Sequence, residues 1–298
     1  MSHTAVALGA RGIRWSDYAE LTKARLSALV LATTATGFWM GWTPTQPAAP
    51  LWIVLLGTAL VVGGANALNE WWERVPDAAM RRTRHRPLPA GRLSPPTALW
   101  FGLGCASVGV LLLALSVNAL SAWLALLGLV SYVLAYTPLK RVTPLCTLVG
   151  AIPGAVPPLI GWAAARGSVD AGAWSLGAIL FLWQLPHFLA LALLYRDDYA
   201  RAGFRMLPLI ESDGTATGRQ IILYALALLL ASLFPAWLGI AGRLYWAGAL
   251  AAGLAFVFVS VEAACHRSDP RARRLFLASV AYLPFVLALM ALDKALGF

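Results

Sequence analysis

The feature that most restricts this chain is a series of nine apolar runs, at residues 26–42, 51–71, 97–115, 120–136, 145–164, 174–195, 221–240, 245–264 and 276–292. Each is close to the about 20 mostly apolar residues that a helix needs to cross a bilayer. The runs are too long for barrel strands and do not alternate apolar with polar, which excludes a transmembrane β-barrel. Composition agrees: 60% of the residues are hydrophobic and 12% charged, where a soluble domain has about 45–50% and about 25%. A water-facing surface cannot be coated with so little charge. Disordered chains, secreted disulfide scaffolds and soluble α/β enzymes are excluded on the same ground. The expectation is an all-α membrane protein, a single domain over residues 1–298, with nine transmembrane helices in a bundle around a central apolar cavity.

The 23 Lys and Arg against 13 Asp and Glu give a formal net charge of +10. Such a balance commonly indicates a nucleic-acid partner, but here the cations lie in short bursts between apolar runs, so a lipid bilayer and no nucleic acid is the partner expected. With a cytoplasmic N-terminus, 20 of the 23 Lys and Arg fall in the inner segments, leaving Arg166, Arg243 and Lys294 outside. Cytoplasmic loops carry that excess in membrane proteins, so the N-terminus is expected inside and the C-terminus outside. Residues 1–23 have neither the apolar core of a signal peptide nor the strongly basic character of an organelle transit peptide. This favours a bacterial or archaeal cell membrane over the mitochondrial inner membrane. Cys105, Cys146 and Cys265 stand singly, without the paired spacing of a zinc or redox site, and read as small buried hydrophobes.

Topology explains the cations but not the acids, yet 11 of the 13 acids fall on the inner side as well. They concentrate in two long inner loops, about 69–96 and 196–220. Long polar loops between tight connections are where function concentrates. In the first, Asn69, Glu73 and Asp77 are spaced i, i+4, i+8, with Glu70 beside Asn69. On a helix continuing the second run these share one face, while Pro76 is a candidate break that would bring Asp77 in from a turn. Three carboxylates and an amide oxygen make a hard site suited to Mg²⁺. Arg81, Arg82, Arg84, His85 and Arg86 follow at once. Mg²⁺ with arginines is suited to holding a diphosphate, because both neutralise oxygen charge as the group leaves. The alternative is that the acids only neutralise arginines that anchor the loop.

The second loop opens with Asp197 and Asp198, followed by Arg201 and Arg205. Asp77 precedes Pro87-Leu88, and Asp198 precedes Pro208-Leu209, by the same ten residues. Four runs separate the loops, so a parallel internal repeat would set them on one side. Facing each other, they would clamp one diphosphate through bridging metal ions. Tyr136 and Lys140, four apart at the inner end of the fourth run, read either as an interfacial tyrosine with a topological lysine or as a diphosphate contact. His187 is the one histidine deep in an apolar run, just after Pro186. An ionisable group at that depth is a functional hypothesis; the alternative is a hydrogen bond between helices, near Gln184 or to a carbonyl freed by Pro186.

These residues carry a family resemblance. The run Asn69-Glu70-x-x-Glu73-x-x-x-Asp77-x-x-Met80-x-Arg82-Thr83-x-x-Arg86-Pro87 resembles the first acidic motif of the UbiA-like intramembrane prenyltransferases, and within them their protohaem IX farnesyltransferase branch. Tyr136-x-x-x-Lys140 is similar to the superfamily's Tyr/Lys motif. Pro186-His187-Phe188-x-Ala190-Leu191-Ala192, then Asp198-Tyr199-x-x-Ala202-Gly203-x-x-Met206-Leu207-Pro208, resembles the second acidic region of the haem branch, as does Gly161-Trp162-Ala163 after Pro157-Pro158-Leu159. The chain departs from the pattern in having glutamate at 70 and 73 where aspartate is common, and Leu194 where a second carboxylate would pair with Asp198.

The resemblance implies transfer of a farnesyl group from farnesyl diphosphate to a vinyl group of haem b, with addition of water. It implies Mg²⁺ held by Asn69, Glu70, Glu73, Asp77 and Asp198, with Asn69, Glu73, Asp77, Lys140 and Asp198 as the catalytic set. Arg82, Arg86, Tyr136, His187, Tyr199 and Arg205 are then the substrate contacts, His187 facing the haem. A haem A synthase or terminal-oxidase assembly factor is the macromolecular partner such an activity would call for. Two other readings stand beside it. A sister prenyltransferase with an aromatic or quinone-precursor acceptor would share the diphosphate residues without needing His187. A non-enzymatic transporter would place acids at mid-membrane, whereas Glu262, inside an apolar run, lies near its end.

Overall fold

The computed structural model describes residues 14–45, 50–266 and 268–297; the first 13 residues of the N-terminal segment lie outside it. Every regular element among the described residues is helical. A short helix α1 (Trp15–Leu21) leads into α2 (Ala24–Gly41), α3 (Pro50–Ala79) and α4 (Pro95–Ser116). Next come α5 (Ala119–Val130), a π-helical stretch (Ser131–Tyr136) and α6 (Thr137–Leu139), one continuous rod. Then follow α7 (Cys146–Arg166), α8 (Ala171–Leu194), α9 (Arg196–Arg201), α10 (Leu207–Ile210), α11 (Thr215–Trp237), α12 (Arg243–His266) and α13 (Asp269–Ala295).

Among the described residues, eight helices are long and apolar enough to cross a membrane: α3, α4, the α5–α6 rod, α7, α8, α11, α12 and α13. The remaining apolar run, 26–42, lies on α2, which is 18 residues long. Thr33, Thr34 and Thr36 dilute its hydropathy, and each satisfies its hydroxyl on a carbonyl three or four residues back. So α2 is the one run whose composition alone does not mark it as a span.

Two packing cores organise the helices. One joins α7, α8, α11, α12 and α13 around Trp162, Leu176, Ile179, Leu228, Tyr245, Leu275 and Met290. The smaller joins α3, α4, α5 and α7 around Val54, Val61, Leu113 and Ile160. α7 packs on α2, α5 and α8 and so links the two. Helices in lipid gain no hydrophobic drive from packing together and rely on close approach. At the α2/α7 crossing a Cβ on Gly161 would sit 2.0 Å from the Thr34 carbonyl oxygen, and one on Gly37 would sit 2.0 Å from that of Pro158. No residue larger than glycine fits either position without parting the helices.

The outward faces carry Leu111, Leu115, Leu230, Leu254 and Phe258, all exposed, as a lipid-facing surface requires. Exposed tryptophans lie at both ends of the helices: Trp39, Trp52, Trp123, Trp174, Trp237 and Trp246 away from the two acidic loops, and Trp15, Trp72 and Trp100 at the loop end. That is the placement of an interfacial aromatic belt.

At the end away from the acidic loops, four of the few charges are used on helix termini. Asp170 caps α8, accepting from the Gly172 and Ala173 N–H groups at 2.9 and 3.3 Å. Asp293, fully buried, accepts from the N–H groups of Gly242 and Tyr245 where α12 begins. Arg166 and Lys294 donate to the last carbonyls of α2, those of Gly41 and of Trp39, Met40 and Trp42. Carboxylates at helix starts and cations at helix ends offset the unpaired backbone groups there.

Candidate active site

α3 runs two turns beyond its apolar stretch and carries Asn69, Glu70, Glu73 and Asp77 down one side, all at most 5% exposed. Pro76 does not break it, contrary to expectation: the helix continues to Ala79, and Asp77 belongs to the helix rather than to a turn. The reason is position. Proline removes one i→i−4 bond, and with three residues remaining the lost bond falls in the last turn. Thr83 then folds the chain back, donating from Oγ1 to the Asp77 carbonyl at 2.8 Å.

Buried acids are tolerated when paired, and each here has a cation. Lys140 Nζ lies 2.8 Å from Glu73 Oε1 and 3.0 Å from Oε2. Arg86 reaches Asp77 Oδ2 at 2.7 Å and Glu70 Oε1 at 3.5 Å. Lys23 Nζ donates to Asn69 Oδ1 at 3.0 Å. Asn69 also accepts from Tyr132 Oη at 3.3 Å and donates to Thr137 Oγ1 at 3.0 Å, tying α2, α3 and the π-helical stretch together. Acids neutralising basic residues is thus part of the arrangement. Of the arginine run, only Arg86 takes that role.

The pairing is incomplete in a specific way. Glu70 Oε2 and Asp77 Oδ1 are buried and accept no hydrogen bond. Unsatisfied buried carboxylate oxygens are costly, and on one face of one helix they provide hard donors of the type Mg²⁺ takes. Among the described residues no three His, Cys, Asp or Glu side chains stand close enough together to hold an ion as they are. The residue types fit Mg²⁺; the side chains are arranged around cations.

The Tyr136–Lys140 segment owes its shape to Pro138. Having no N–H for the Leu134 carbonyl, it sits just after a stretch loosened to π-helix, a device common at functional sites. Thr137 Oγ1 donates to the Tyr132 carbonyl across the widened turn at 2.8 Å. Tyr132 and Tyr136 stack with centroids 5.7 Å apart, and Lys140 Nζ lies 4.5 Å from the Tyr136 ring and 5.6 Å from that of Phe204. A cleft of about 70 Å³ opens beside Glu73, lined by Trp72, Pro76, Thr137, Pro138, Arg141 and Phe204.

The two acidic loops meet, as the repeat suggested, but through a clasp. Asp198 accepts from the backbone N–H groups of Arg81 and Arg82, each at 3.2 Å, and pairs with Arg201. Burial would raise its pKa, but the N–H groups of Arg82 and Arg81 and the Arg201 guanidinium outweigh it and hold the carboxyl below its ordinary value. Both oxygens are therefore occupied, unlike those of Glu70 and Asp77. Asp197 is exposed. Arg82 is exposed, its guanidinium 5.3 Å from the Tyr195 ring. Tyr199 is buried against Phe204, and Arg205 turns its side chain outward while its N–H donates to the Lys140 carbonyl at 2.7 Å.

His187, half-buried on α8, makes an interhelical hydrogen bond, though to neither expected partner. Nδ1 is 2.8 Å from Ser279 Oγ on α13. Gln184 instead binds the carbonyls of Leu180 and Ala151. Glu262 is bridged by Arg271 and Arg274, both at 2.8 Å, which makes it a helix-linking acid.

Three residues of the site have no signal in the sequence, Lys23, Tyr132 and Thr137, and Thr83 stands in the first acidic motif without a role assigned to it. Lys23 stands where topology alone would put a lysine. It is the one described non-glycine residue with positive φ, at 51°, a conformation that costs energy and here turns the chain from α1 into α2. Burial, then repulsion from Arg86, lowers its pKa to about 7 despite Glu70.

A model of the UbiA prenyltransferase family matches residues 30–286. A protoheme IX farnesyltransferase of Solibacter usitatus is 47% identical over 291 residues, 93% of this chain and 98% of that protein. One of Myxococcus xanthus is also 47% identical, over 94% of this chain and 95% of its own. Among solved structures, a digeranylgeranylglyceryl phosphate synthase superposes with a TM-score of 0.78 at 16% identity, covering 93% of this chain and 97% of that one. A UbiA homologue from Archaeoglobus fulgidus, bound to GPP and Mg²⁺, superposes with a TM-score of 0.70 at 15% identity over 92% of this chain and 99% of its own. The two solved structures share the fold; the family match and the curated relatives extend over nearly the whole sequence. The chain belongs to the UbiA prenyltransferase family.

Proposed function

We propose that this chain transfers the farnesyl group of farnesyl diphosphate to a vinyl group of haem b, releasing diphosphate and giving haem O. The allylic C–O bond breaks, the farnesyl carbon joins the vinyl carbon, and water supplies the hydroxyl on the adjacent carbon with loss of a proton. The observation that carries this reading is the 47% identity to curated protoheme IX farnesyltransferases over 93% of the chain.

The site's chemistry suits the first step. Glu70 and Asp77, with their unpartnered oxygens, and Glu73 between them would hold Mg²⁺, with Asn69 and Asp198 alongside. Bound there, Mg²⁺ would neutralise the departing diphosphate. Lys140 and Arg86, already positioned at those carboxylates, would take phosphate oxygens, with Arg82 and Arg205 at the exposed rim. Tyr136 and Tyr132 present ring faces suited to a developing allylic cation, and such contacts contribute about 0.5–2 kcal/mol each. His187, deeper in α8, would meet the haem, and Tyr199 would line the approach.

α2 completes nine spans, with the N-terminus and both acidic loops on the cytoplasmic side of a bacterial or archaeal cell membrane. The apolar product stays in the bilayer, which calls for a membrane-bound acceptor such as a haem A synthase or an oxidase under assembly. The test is expression in cells that lack haem O, followed by analysis of extracted haems. Farnesylated haem is expected, with loss in Glu73→Gln and Asp77→Asn. No such haem, or unaltered yield from both variants, overturns the proposal.

A further inference from the structure

His187 is held by aromatic rings and a serine. Trp183, one turn earlier on α8, stacks on its ring at 4.9 Å and 25°, and Phe276 of α13 lies tilted against it at 5.0 Å and 32°. Phe188 meets it edge-on at 5.8 Å. Ser279, fully buried on α13, anchors two of these groups: its carbonyl accepts from Trp183 Nε1 at 2.7 Å and its Oγ lies 2.8 Å from His187 Nδ1. Nothing among the described residues hydrogen-bonds Nε2.

The proton positions follow from donor arithmetic. Ser279 Oγ is 2.6 Å from the Phe276 carbonyl oxygen. A carbonyl has no proton, so at that distance the serine hydrogen must lie between the two oxygens. With its one hydrogen used, Oγ can only accept from Nδ1. His187 therefore carries its proton on Nδ1, and the lone pair of neutral imidazole is on Nε2. The hydrogen bond made by one ring nitrogen sets which form the other presents.

We propose that Ser279 is a positioning residue for the haem substrate: by accepting from Nδ1–H it fixes the His187 tautomer and ring plane that present the Nε2 lone pair to the haem iron. This rests on the reading of His187 as the haem contact. The paired device is chemically reasonable, because a histidine that ligates a metal usually donates its other N–H to a fixed acceptor, and losing that acceptor typically weakens binding about 10–100-fold. The Trp183 and Phe276 rings restrict rotation, leaving the serine to set the proton. The binding group and its orienting acceptor are on different helices, so the α8/α13 contact is part of the site.

The test starts with the wild-type protein without haem. Its His187 ¹⁵N resonances, assigned by their loss in His187→Ala, are expected to show a protonated Nδ1 and an unprotonated Nε2; the opposite tautomer or a mixture overturns the proposal whether or not any serine variant folds. Haem b titration of the full-length protein then separates the two claims. His187→Ala should lose the spectral signature of histidine-ligated haem while farnesyl diphosphate binding is kept; an unchanged signature removes the His187 reading itself. Ser279→Ala should bind haem about 10-fold more weakly or worse, with farnesyl diphosphate affinity unchanged, and Ser279→Thr should restore it. If His187→Ala loses the signature but Ser279→Ala binds haem as wild type does, the positioning role fails and the haem contact stands. Equal loss of haem and farnesyl diphosphate binding in Ser279→Ala shows a structural role and also overturns it.

Discussion

Replacing Asp198 with alanine should open the first acidic loop without unfolding the bundle. The carboxylate accepts the backbone N–H groups of Arg81 and Arg82 at 3.2 Å each. Hydrogen bonds to a charged group contribute about 1.5–3 kcal/mol net, and the length of these two places them at the lower end. The Arg201 pair adds little, because that guanidinium is 40% exposed and exposed ion pairs contribute about 0–1 kcal/mol. The loss is then about 3 kcal/mol, or roughly 10²-fold in the open population of the loop. When opening is fast relative to cleavage, proteolysis follows that population. Trypsin acting on chelator-treated protein in nanodiscs should therefore cut after Arg81, Arg82 or Arg84 about 10²-fold faster in Asp198→Ala than in wild type. Asp197→Ala, which removes a carboxylate that is 87% exposed, should match wild type. Chelation keeps metal binding from contributing. Equal cleavage of Asp198→Ala and wild type would show that the clasp carries no weight and that Asp198 serves the site in some other way.

Glu73→Gln leaves the Lys140 ammonium, 11% exposed, without its carboxylate; uncompensated buried charges cost about 3–5 kcal/mol. Thermal unfolding should fall by several degrees, and the double variant with Lys140→Met should recover the stability but not farnesyl transfer. Gly161→Ala should destabilise by about 1–3 kcal/mol through overpacking, since its Cβ meets the Thr34 carbonyl. Gly104→Ala, with nothing within 4 Å on α4, should stabilise by up to about 1 kcal/mol; equal unfolding temperatures in detergent for the two would refute the close-contact account. Chelating Mg²⁺ should abolish farnesyl transfer reversibly while leaving the helix content by circular dichroism unchanged, and persistence of activity in chelator would count against the carboxylates as metal donors.

The helices were legible because apolar length is a property of contiguous sequence. Eight runs lie on helices recognisable as spans. α2 is the informative exception, since Thr33, Thr34 and Thr36 lower its apolarity while bonding only to its own backbone. Charge asymmetry marked the functional end for the same reason. Four of the scarce charges at the far end, Asp170, Asp293, Arg166 and Lys294, sit at helix termini, whereas Glu70, Glu73 and Asp77 at the other end lie within α3 and cap no helix.

Inside the site, the residues legible in sequence were those whose spacing follows one helix. Asn69, Glu73 and Asp77 lie on one side of α3 because the period of a helix puts them there. What spacing cannot convey is which cation reaches which acid. Lys140 comes from 67 residues away to Glu73, and Lys23 comes from 46 residues away to Asn69. Meanwhile Arg81, Arg82 and Arg84, adjacent in sequence to the acids, are exposed, and the Asp198 clasp holds the backbone of the first two rather than their guanidinium groups. A run of arginines beside a run of acids therefore supplies one partner, Arg86, a distant lysine, Lys140, supplies the other, and Lys23 reaches the amide of Asn69. The pairing follows from burial: α3 carries three acids into a dry interface, and the groups that reach its polar face come from the folded-back loop (Arg86) and from helix ends (Lys140 and Lys23). Lys140 follows the π-helical stretch and Lys23 begins α2; the Tyr136-x-x-x-Lys140 pattern marks the first, while the second is fixed by backbone geometry that no residue pattern announces.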